Sequence, residues 1–212
     1  MPAALALLAA ACVAGASHAQ EIRARQNLEY RLIAPQPVAT GNRIEVIEFF
    51  WYGCPYCNEL QPPLERWIRR KPADVALRRV PAILRDSWAP HARVFYTLEA
   101  LGEVERLHLK VYESYHVERL HMSKPDVAVE WAVKNGIDRR RWLEAYGSSA
   151  IDAKVQHAKE LSAAYTVPVT PTLVVDGRYL TSGQHVPCCD VGDIVPILED
   201  VIRLARRDRS GR

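Results

Sequence analysis

The 212-residue sequence predicts an α/β fold in which strands and helices from both ends of the chain enclose a helical insertion. Three observations carry this prediction. A run of β-branched and aromatic residues over 44–50 leads into an amphipathic helix that reaches Arg70. From about 86 to 164 the apolar residues recur at helical spacing and strand signals are missing. Strand patterns return at 172–175 and precede a closing amphipathic helix.

The N-terminal part of the α/β fold is predicted as strand, helix and strand. Ile44–Phe50 has apolar residues on both alternating faces, which is typical of a buried central strand. The helix after it carries apolar residues at helical spacing, namely Leu60, Leu64, Trp67 and Ile68. Pro62 and Pro63 lie inside this helix and predict a kink, because each removes a backbone N–H donor. Val75–Val80 alternates and predicts the second strand.

The insertion is divided into several helices by chain-breaking residues. The breaks fall at Gly102, at 123–125 and at Asn135-Gly136. We expect Ser123 to cap one helix and Gly136 to end another. The predicted core positions of the insertion are large apolar residues, namely Trp88, Phe95, Leu98, Leu101, Leu107, Tyr112 and Trp131.

The C-terminal part returns to strands and ends in a helix. Asp176-Gly177 separates a strand at 172–175 from one at 178–180 and is a strong hairpin signal. The closing helix carries its apolar residues at helical spacing, namely Ile194, Ile197, Leu198, Val201 and Leu204. The basic end over 203–212 is predicted to be solvated and frayed.

The first nineteen residues are typical of a cleaved signal peptide. They contain no Asp, Glu, Lys or Arg, and their apolar run over 3–14 is too short to span a bilayer. Small residues at Ser17 and Ala19 predict cleavage after Ala19, although the usual positive charge before the apolar run is missing. A buried N-terminal helix and a lipoprotein anchored through Cys12 are the weaker alternatives. The sequence therefore predicts an exported protein.

Charge does not predict a nucleic-acid partner. The net charge is +3, and apart from the basic end it is spread along the chain. Arg139-Arg140-Arg141 is expected on one exposed helical turn and is not part of a basic stripe with interleaved aromatics.

The histidines show no spacing typical of metal ligands.

Removal of the first nineteen residues leaves four cysteines in two close pairs. Cys54 lies three residues before Cys57, and Cys188 is adjacent to Cys189. Neither pair closes a loop long enough for a disulfide to stabilise the fold appreciably, so Cys54 and Cys57 need another explanation. For Cys188 and Cys189 three interpretations stay open: two thiols on a loop, a strained disulfide between neighbours, or a second redox pair.

A Cys-x-x-Cys pair at the start of a helix suits thiol-disulfide exchange. One turn of helix brings the two sulfurs together, and the free N–H groups of the helix N-terminus favour a thiolate on Cys54. Two of four zinc ligands can have the same spacing. The preceding strand and the adjacent placement of Cys188 and Cys189 argue against zinc. The chemistry of a dithiol requires no bound cofactor, and we predict none.

The stretch from Glu48 to Cys57, EFFWYGCPYC, resembles the active site of the DsbA family of periplasmic disulfide oxidases. The resemblance implies a thioredoxin fold with an inserted α-helical domain. It divides the mature chain into a discontinuous thioredoxin-like domain, 20–85 and 165–212, and a helical insertion, 86–164. It also implies a redox-active Cys54–Cys57 disulfide in the periplasm, with Cys54 as the attacking sulfur.

The same resemblance implies roles for residues outside the pair. Glu48 would be a buried acid that exchanges a proton with Cys57. The alternative for Glu48 is a glutamate at the strand end in solvent, and this role fits Glu45 better. Thr170-Pro171 would form a cis-proline loop facing the cysteines and contacting an extended substrate, although Val167-Pro168 competes for this role.

The dipeptide Pro55-Tyr56 departs from the Pro-His pair that is usual in the family. Tyrosine lacks an imidazole that could stabilise the thiolate of Cys54. We therefore predict an oxidising protein whose reduction potential is lower than the family's extreme.

The leading hypothesis is an enzyme that introduces disulfide bonds into unfolded secreted proteins and is reoxidised by a DsbB-like, quinone-linked membrane protein. A disulfide isomerase or thiol reductant of the same fold is the alternative. Isomerases usually carry an N-terminal dimerisation domain, for which 20–43 is too short, so we predict a monomer. A chaperone-like binding module with non-catalytic cysteines is the alternative from another class.

Overall fold

A five-stranded mixed sheet forms the centre of the computed structural model, which describes residues 22–183 and 191–211. The strands are β1 Arg31–Leu32, β2 Ile44–Phe50, β3 Val75–Pro81, β4 Thr172–Val175 and β5 Tyr179–Ser182. Their order across the sheet is β1-β5-β4-β2-β3. Only β2 and β3 pair in parallel in this sheet, and the other neighbours are antiparallel. The short β1 was not predicted.

Seven α-helices accompany the sheet within the described residues. They are α1 Pro55–Arg70, α2 Ala89–Leu101, α3 Val104–His116, α4 Pro125–Lys134, α5 Arg139–Tyr146, α6 Ser149–Ala164 and α7 Ile194–Ser210. The five helices α2–α6 follow one another between β3 and β4, which confirms the predicted helical segment. No helix in the described ranges is long and apolar enough to cross a membrane.

Strand β2 is central because both of its faces are covered. All seven of its residues are buried. Ile47, Phe49 and Phe50 belong to an apolar cluster shared with the helical insertion, whereas Ile44 and Val46 belong to a second cluster shared with α1 and α7. Burial on two sides explains why the strand is almost continuously apolar. Of the predicted core positions in the insertion, Trp88 and Leu101 are half-buried and the others are buried.

The hairpin between β4 and β5 turns at Asp176 and Gly177, as predicted. Both residues have positive φ, 52° and 66°, which is the backbone of a type I′ turn. A Cβ at position 177 would lie 2.3 Å from the carbonyl oxygen of Gln36, so glycine is also required by the neighbouring chain.

Helix ends differ in detail from the sequence prediction. Lys124 and not Ser123 is the N-cap of α4, because Pro125 already occupies the first helical position. Gly136 adopts φ of 84° immediately after the C-cap Asn135, which confirms it as a helix stop. Helix α1 continues through Pro62 and Pro63. Their predicted kink remains a prediction.

The prediction of a frayed basic end was wrong. Helix α7 extends to Ser210. Its last turns are held by ion pairs, since Arg206 pairs with Asp74 at 2.9 Å and Arg209 pairs with Asp176 at the hairpin turn. The basic residues therefore attach the helix end to loops of the sheet.

Candidate active site

Cys54 stands at the N-cap of α1, directly after the turn that follows β2. Its backbone is extended, with φ of −87° and ψ of 118°, and Pro55 occupies the start of the helix. Among the described residues no side chain caps this helix end, and the backbone N–H groups of Tyr56 and Cys57 hydrogen-bond the Cys54 sulfur. The local sequence explains this arrangement, because Pro55 fits the first helical turn and needs no acceptor.

The two cysteines are free thiols in unlike surroundings. Cys54 retains 7% exposure, whereas Cys57 is fully buried one turn further along α1. A hydrogen bond from the Cys57 thiol, aided by backbone N–H groups of the first turn, lowers the pKa of Cys54 to about 6 against the effect of burial. Burial raises the pKa of Cys57 well above its ordinary value. The pair thus combines an acidic outer thiol with a protonated inner one.

The loop before β4 faces the cysteines. The Thr170–Pro171 peptide bond is cis, whereas Val167–Pro168 is not, so the prediction of the cis-proline position is confirmed. The Cys54 thiol donates a hydrogen bond to the backbone carbonyl of Thr170 at 3.2 Å. The fold therefore brings together two segments that lie 116 residues apart in the sequence.

Glu48 is a buried acid, as predicted. Its side chain has no exposed surface. Its carboxylate accepts hydrogen bonds from Gln61 Nε2 at 2.8 Å and from Arg79 Nε at 3.2 Å. Burial raises the pKa of Glu48, and Arg79 and Gln61 only partly offset this effect.

The assignment of Glu45 to solvent was wrong. Glu45 is also fully buried and is paired with Arg78 Nε at 3.2 Å. The reason is the coverage of β2 on both faces together with its parallel pairing to β3, which places arginines beside the strand. Sequence reasoning missed Arg79 and Gln61 as partners of Glu48. The available signals were the charged pair Arg78-Arg79 in an otherwise apolar strand and a polar residue one helical turn after Cys57.

The neighbouring aromatic residues Trp51 and Tyr52 lie in different surroundings. The ring of Trp51 stacks on Trp88 with centroids 4.2 Å apart and planes 1° apart, and both rings border a groove. Tyr52 is buried in the core, where its hydroxyl hydrogen-bonds Nδ1 of His108 at 2.8 Å.

A mainly apolar groove of about 830 Å³ opens beside Cys54. Its described lining residues are Trp51, Cys54, Pro55, Tyr56, Leu84, Arg85, Trp88, Pro168, Val169, Thr170, Pro171, Gly183 and Val191. The exposed side chain of Tyr56 stands at its edge. An apolar cleft with a few polar groups next to a reactive sulfur is suited to binding an extended peptide.

Gly53 is required by the Trp51 ring. A Cβ at position 53 would lie 2.3 Å from Cζ2 of Trp51, so the Gly53→Ala substitution must push the indole out of its stack with Trp88. We expect the variant to lose about 1–3 kcal/mol of unfolding free energy and to change its near-ultraviolet circular dichroism. Gly183→Ala is the control, because a Cβ there meets no atom of the described residues within 4 Å. Equal behaviour of the two variants would contradict the steric argument.

Some predicted features cannot be placed. Cys188, Cys189 and the first nineteen residues lie outside the described residues. Within the described ranges, no group of three or more His, Cys, Asp or Glu side chains is arranged to hold a metal ion.

Comparisons with known proteins agree with the geometry. The family model described as a DSBA-like thioredoxin domain matches residues 74–187. The thiol:disulfide interchange protein DsbA of Bordetella pertussis is 37% identical over 180 residues, 85% of this chain and 84% of that protein. Its counterpart from Pseudomonas aeruginosa PAO1 is 38% identical over 148 residues, 70% of each chain.

Solved structures show the same likeness. The crystal structure of Pseudomonas aeruginosa DsbA superimposes with a TM-score of 0.81 at 32% identity, covering 88% of this chain and 97% of that one. The oxidoreductase DsbA from Xylella fastidiosa gives a TM-score of 0.77 at 27% identity over 84% of this chain and 96% of that one. The chain therefore belongs to the DSBA-like thioredoxin family and is a thiol-disulfide oxidoreductase.

Proposed function

We propose that the protein introduces disulfide bonds into secreted or periplasmic proteins through Cys54 and Cys57. The observation that carries this proposal is the contrast between the two thiols. The pKa of Cys54 is lowered to about 6, so the reduced form holds a stabilised thiolate at neutral pH. Stabilisation of the reduced form makes the disulfide a good oxidant. The electrons therefore flow from the substrate to this protein.

The proposed reaction begins when a substrate thiolate attacks the sulfur of Cys54. The bond to Cys57 breaks, and Cys57 leaves with the electron pair and takes a proton from Glu48. The second substrate thiolate then attacks the substrate sulfur of the mixed disulfide. Cys54 leaves as the thiolate that its surroundings stabilise. Two electrons have then passed from the substrate dithiol to the enzyme.

Substrate binding is assigned to the groove and to the loop at Thr170 and Pro171. An extended peptide would pair its backbone with this loop as an added strand, while its cysteine lies against Cys54. The apolar wall formed by Trp51 and Trp88 suits unfolded segments, because these expose apolar side chains. Pro55 and Tyr56 between the cysteines would adjust the potential of the pair.

The setting of the reaction follows from the family and the sequence. We propose export to the periplasm with removal of residues 1–19, reoxidation by a DsbB-like membrane protein, and action as a monomer. The relatives named DsbA support the periplasmic assignment. We further propose that 20–85 with 165–212 forms the thioredoxin-like domain and that 86–164 forms the insertion.

A glutathione redox titration of the Cys54–Cys57 pair tests the direction of electron flow. We expect a potential between about −270 mV, the thioredoxin value, and about −120 mV, the value characteristic of DsbA. Tyr56→His should raise it by about 30 mV, a tenfold change in the equilibrium constant, because an imidazolium would stabilise the Cys54 thiolate further. A potential at or below that of thioredoxin would overturn the proposal.

A further inference from the structure

The guanidinium of Arg79 hydrogen-bonds two carboxylates, those of Glu48 and Glu65. Arg79 of β3 donates from Nε to Glu48 at 3.2 Å and from Nη2 to Glu65 of α1 at 2.5 Å. The three side chains form a path from the interior to the surface, with exposures of 0% for Glu48, 9% for Arg79 and 22% for Glu65. Glu65 is therefore the only member of this triad with substantial access to water.

The charges of the triad do not balance when both acids are ionised. One guanidinium neutralises one carboxylate, so a second buried carboxylate keeps an uncompensated charge at high cost. Glu65 makes the shorter contact with Arg79 and is partly exposed to water, so the guanidinium is engaged mainly by Glu65. Glu48 is fully buried and makes the longer contact, so it is the acid that retains a proton.

We propose that Glu65 is a positioning residue that keeps Glu48 protonated by engaging Arg79. This inference rests on the proposed function, in which protonated Glu48 supplies the proton that Cys57 takes as it leaves. Gln61 connects Glu48 with Cys57, because its Nε2 donates a hydrogen bond to the Glu48 carboxylate at 2.8 Å and another to the backbone carbonyl of Cys57 at 3.2 Å.

Other titratable and charged groups also surround Glu48 and Arg79. Those near Glu48 are Cys57 on α1, Tyr52 after β2 and Tyr112 on α3. Those near Arg79 are Glu105 and His108 on α3. Burial holds His108 and the two tyrosines in their neutral forms, since it lowers the pKa of His108 and raises those of Tyr52 and Tyr112. Glu105 is exposed and makes no ion pair within the described residues. Glu65 is thus the acid placed to compete directly for Arg79.

The test is the Glu65→Gln variant, which keeps the size and an acceptor oxygen but removes the charge. Without the charge of Glu65, Arg79 pairs with Glu48 alone and stabilises the Glu48 carboxylate. Glu48 therefore loses its proton at lower pH. The readout is the rate at which the oxidised protein reacts with glutathione, divided by the thiolate concentration, as a function of pH. We expect the falling limb of this profile to move to lower pH, with a rate about fivefold lower at the wild-type midpoint.

Two further variants separate the outcomes. Glu59→Gln removes an exposed carboxylate from the same helix without touching Arg79 and should leave the profile unchanged. Glu48→Gln should abolish the falling limb, and adding Glu65→Gln to it should then have no further effect on the profile. If Glu48→Gln keeps the wild-type profile, the proposed role of Glu48 fails. If Glu48→Gln changes the profile but Glu65→Gln behaves like Glu59→Gln, the inference about Glu65 is overturned.

A direct measurement accompanies the kinetics. Protein labelled with carbon-13 at the glutamate carboxyl carbons reports the titration of Glu48, whose signal is identified by its loss in Glu48→Gln. In the Glu65→Gln variant this signal should titrate at lower pH than in the wild type. An unchanged midpoint would also overturn the inference, whether or not the rates had changed.

Discussion

Replacing Cys54 with serine is expected to abolish the oxidation of substrate thiols. Cys54 is the sulfur that faces the groove, and the serine hydroxyl can neither form a disulfide nor ionise near neutral pH. The measurement is the oxidation of a reduced two-cysteine peptide by the purified oxidised protein. The variant should leave the peptide at its rate in buffer alone.

The matched control is Cys57→Ser, which keeps the outer sulfur. Its Cys54 should still exchange with small disulfides and then accumulate mixed disulfides that non-reducing gels or mass spectrometry detect, since the internal thiol needed to resolve them is missing. A binding module with merely structural cysteines predicts the opposite. In that case the Cys54→Ser variant would suppress the aggregation of an unfolded protein as well as the wild type does.

Alkylation of Cys54 by iodoacetamide is expected to follow a thiol with a pKa of about 6. Because the thiolate is the reactive form, the rate should rise about tenfold between pH 5 and pH 7 and then level off. An ordinary thiol, with a pKa of about 8.5, would continue to gain reactivity well above pH 8. Cys57 should remain unmodified in the folded protein, because it is fully buried and its pKa is raised.

Cys57→Ala tests the cause of this acidity. The hydrogen bond from Cys57 is the largest contribution to the low pKa of Cys54, so the midpoint of the alkylation profile should move to higher pH in this variant. A profile that stays near 6 would assign the acidity to the remaining contributions, which come from Thr170 and from the N–H groups of the helix N-terminus. A wild-type midpoint above 8 would contradict the geometry of the site.

Much of the architecture was predictable because it depends on local patterns. The buried strand at 44–50, the division of the insertion into several helices and the hairpin at Asp176-Gly177 follow from periodicity and turn chemistry, and the structure confirms them. Strand β1 was missed because two residues carry no periodic signal. The basic end was misjudged because its order comes from ion pairs with Asp74 and Asp176, which lie far away in the sequence.

The residues around the dithiol were predictable only in part. Glu48 was identified by its distance from Cys54 in a motif that resembles a known family, and Thr170-Pro171 depended on the same resemblance. Glu45 was expected in solvent because it lies near the end of the strand, and this was wrong because a strand covered on both faces has no solvent side. Arg79 could not be connected to Glu48 without the parallel register that sets these two residues opposite each other.

By itself the sequence determined the reactive centre, because the strand, the turn, Pro55 and the helix that hold Cys54 and Cys57 are contiguous. The tertiary structure alone decided how that centre is charged and what faces it. It set Arg79 between Glu48 and Glu65, and it brought the carbonyl of Thr170 to within 3.2 Å of Cys54. The physical reason is that burial and hydrogen-bond partners depend on strand register and helix packing, which residues distant in the chain impose on one another.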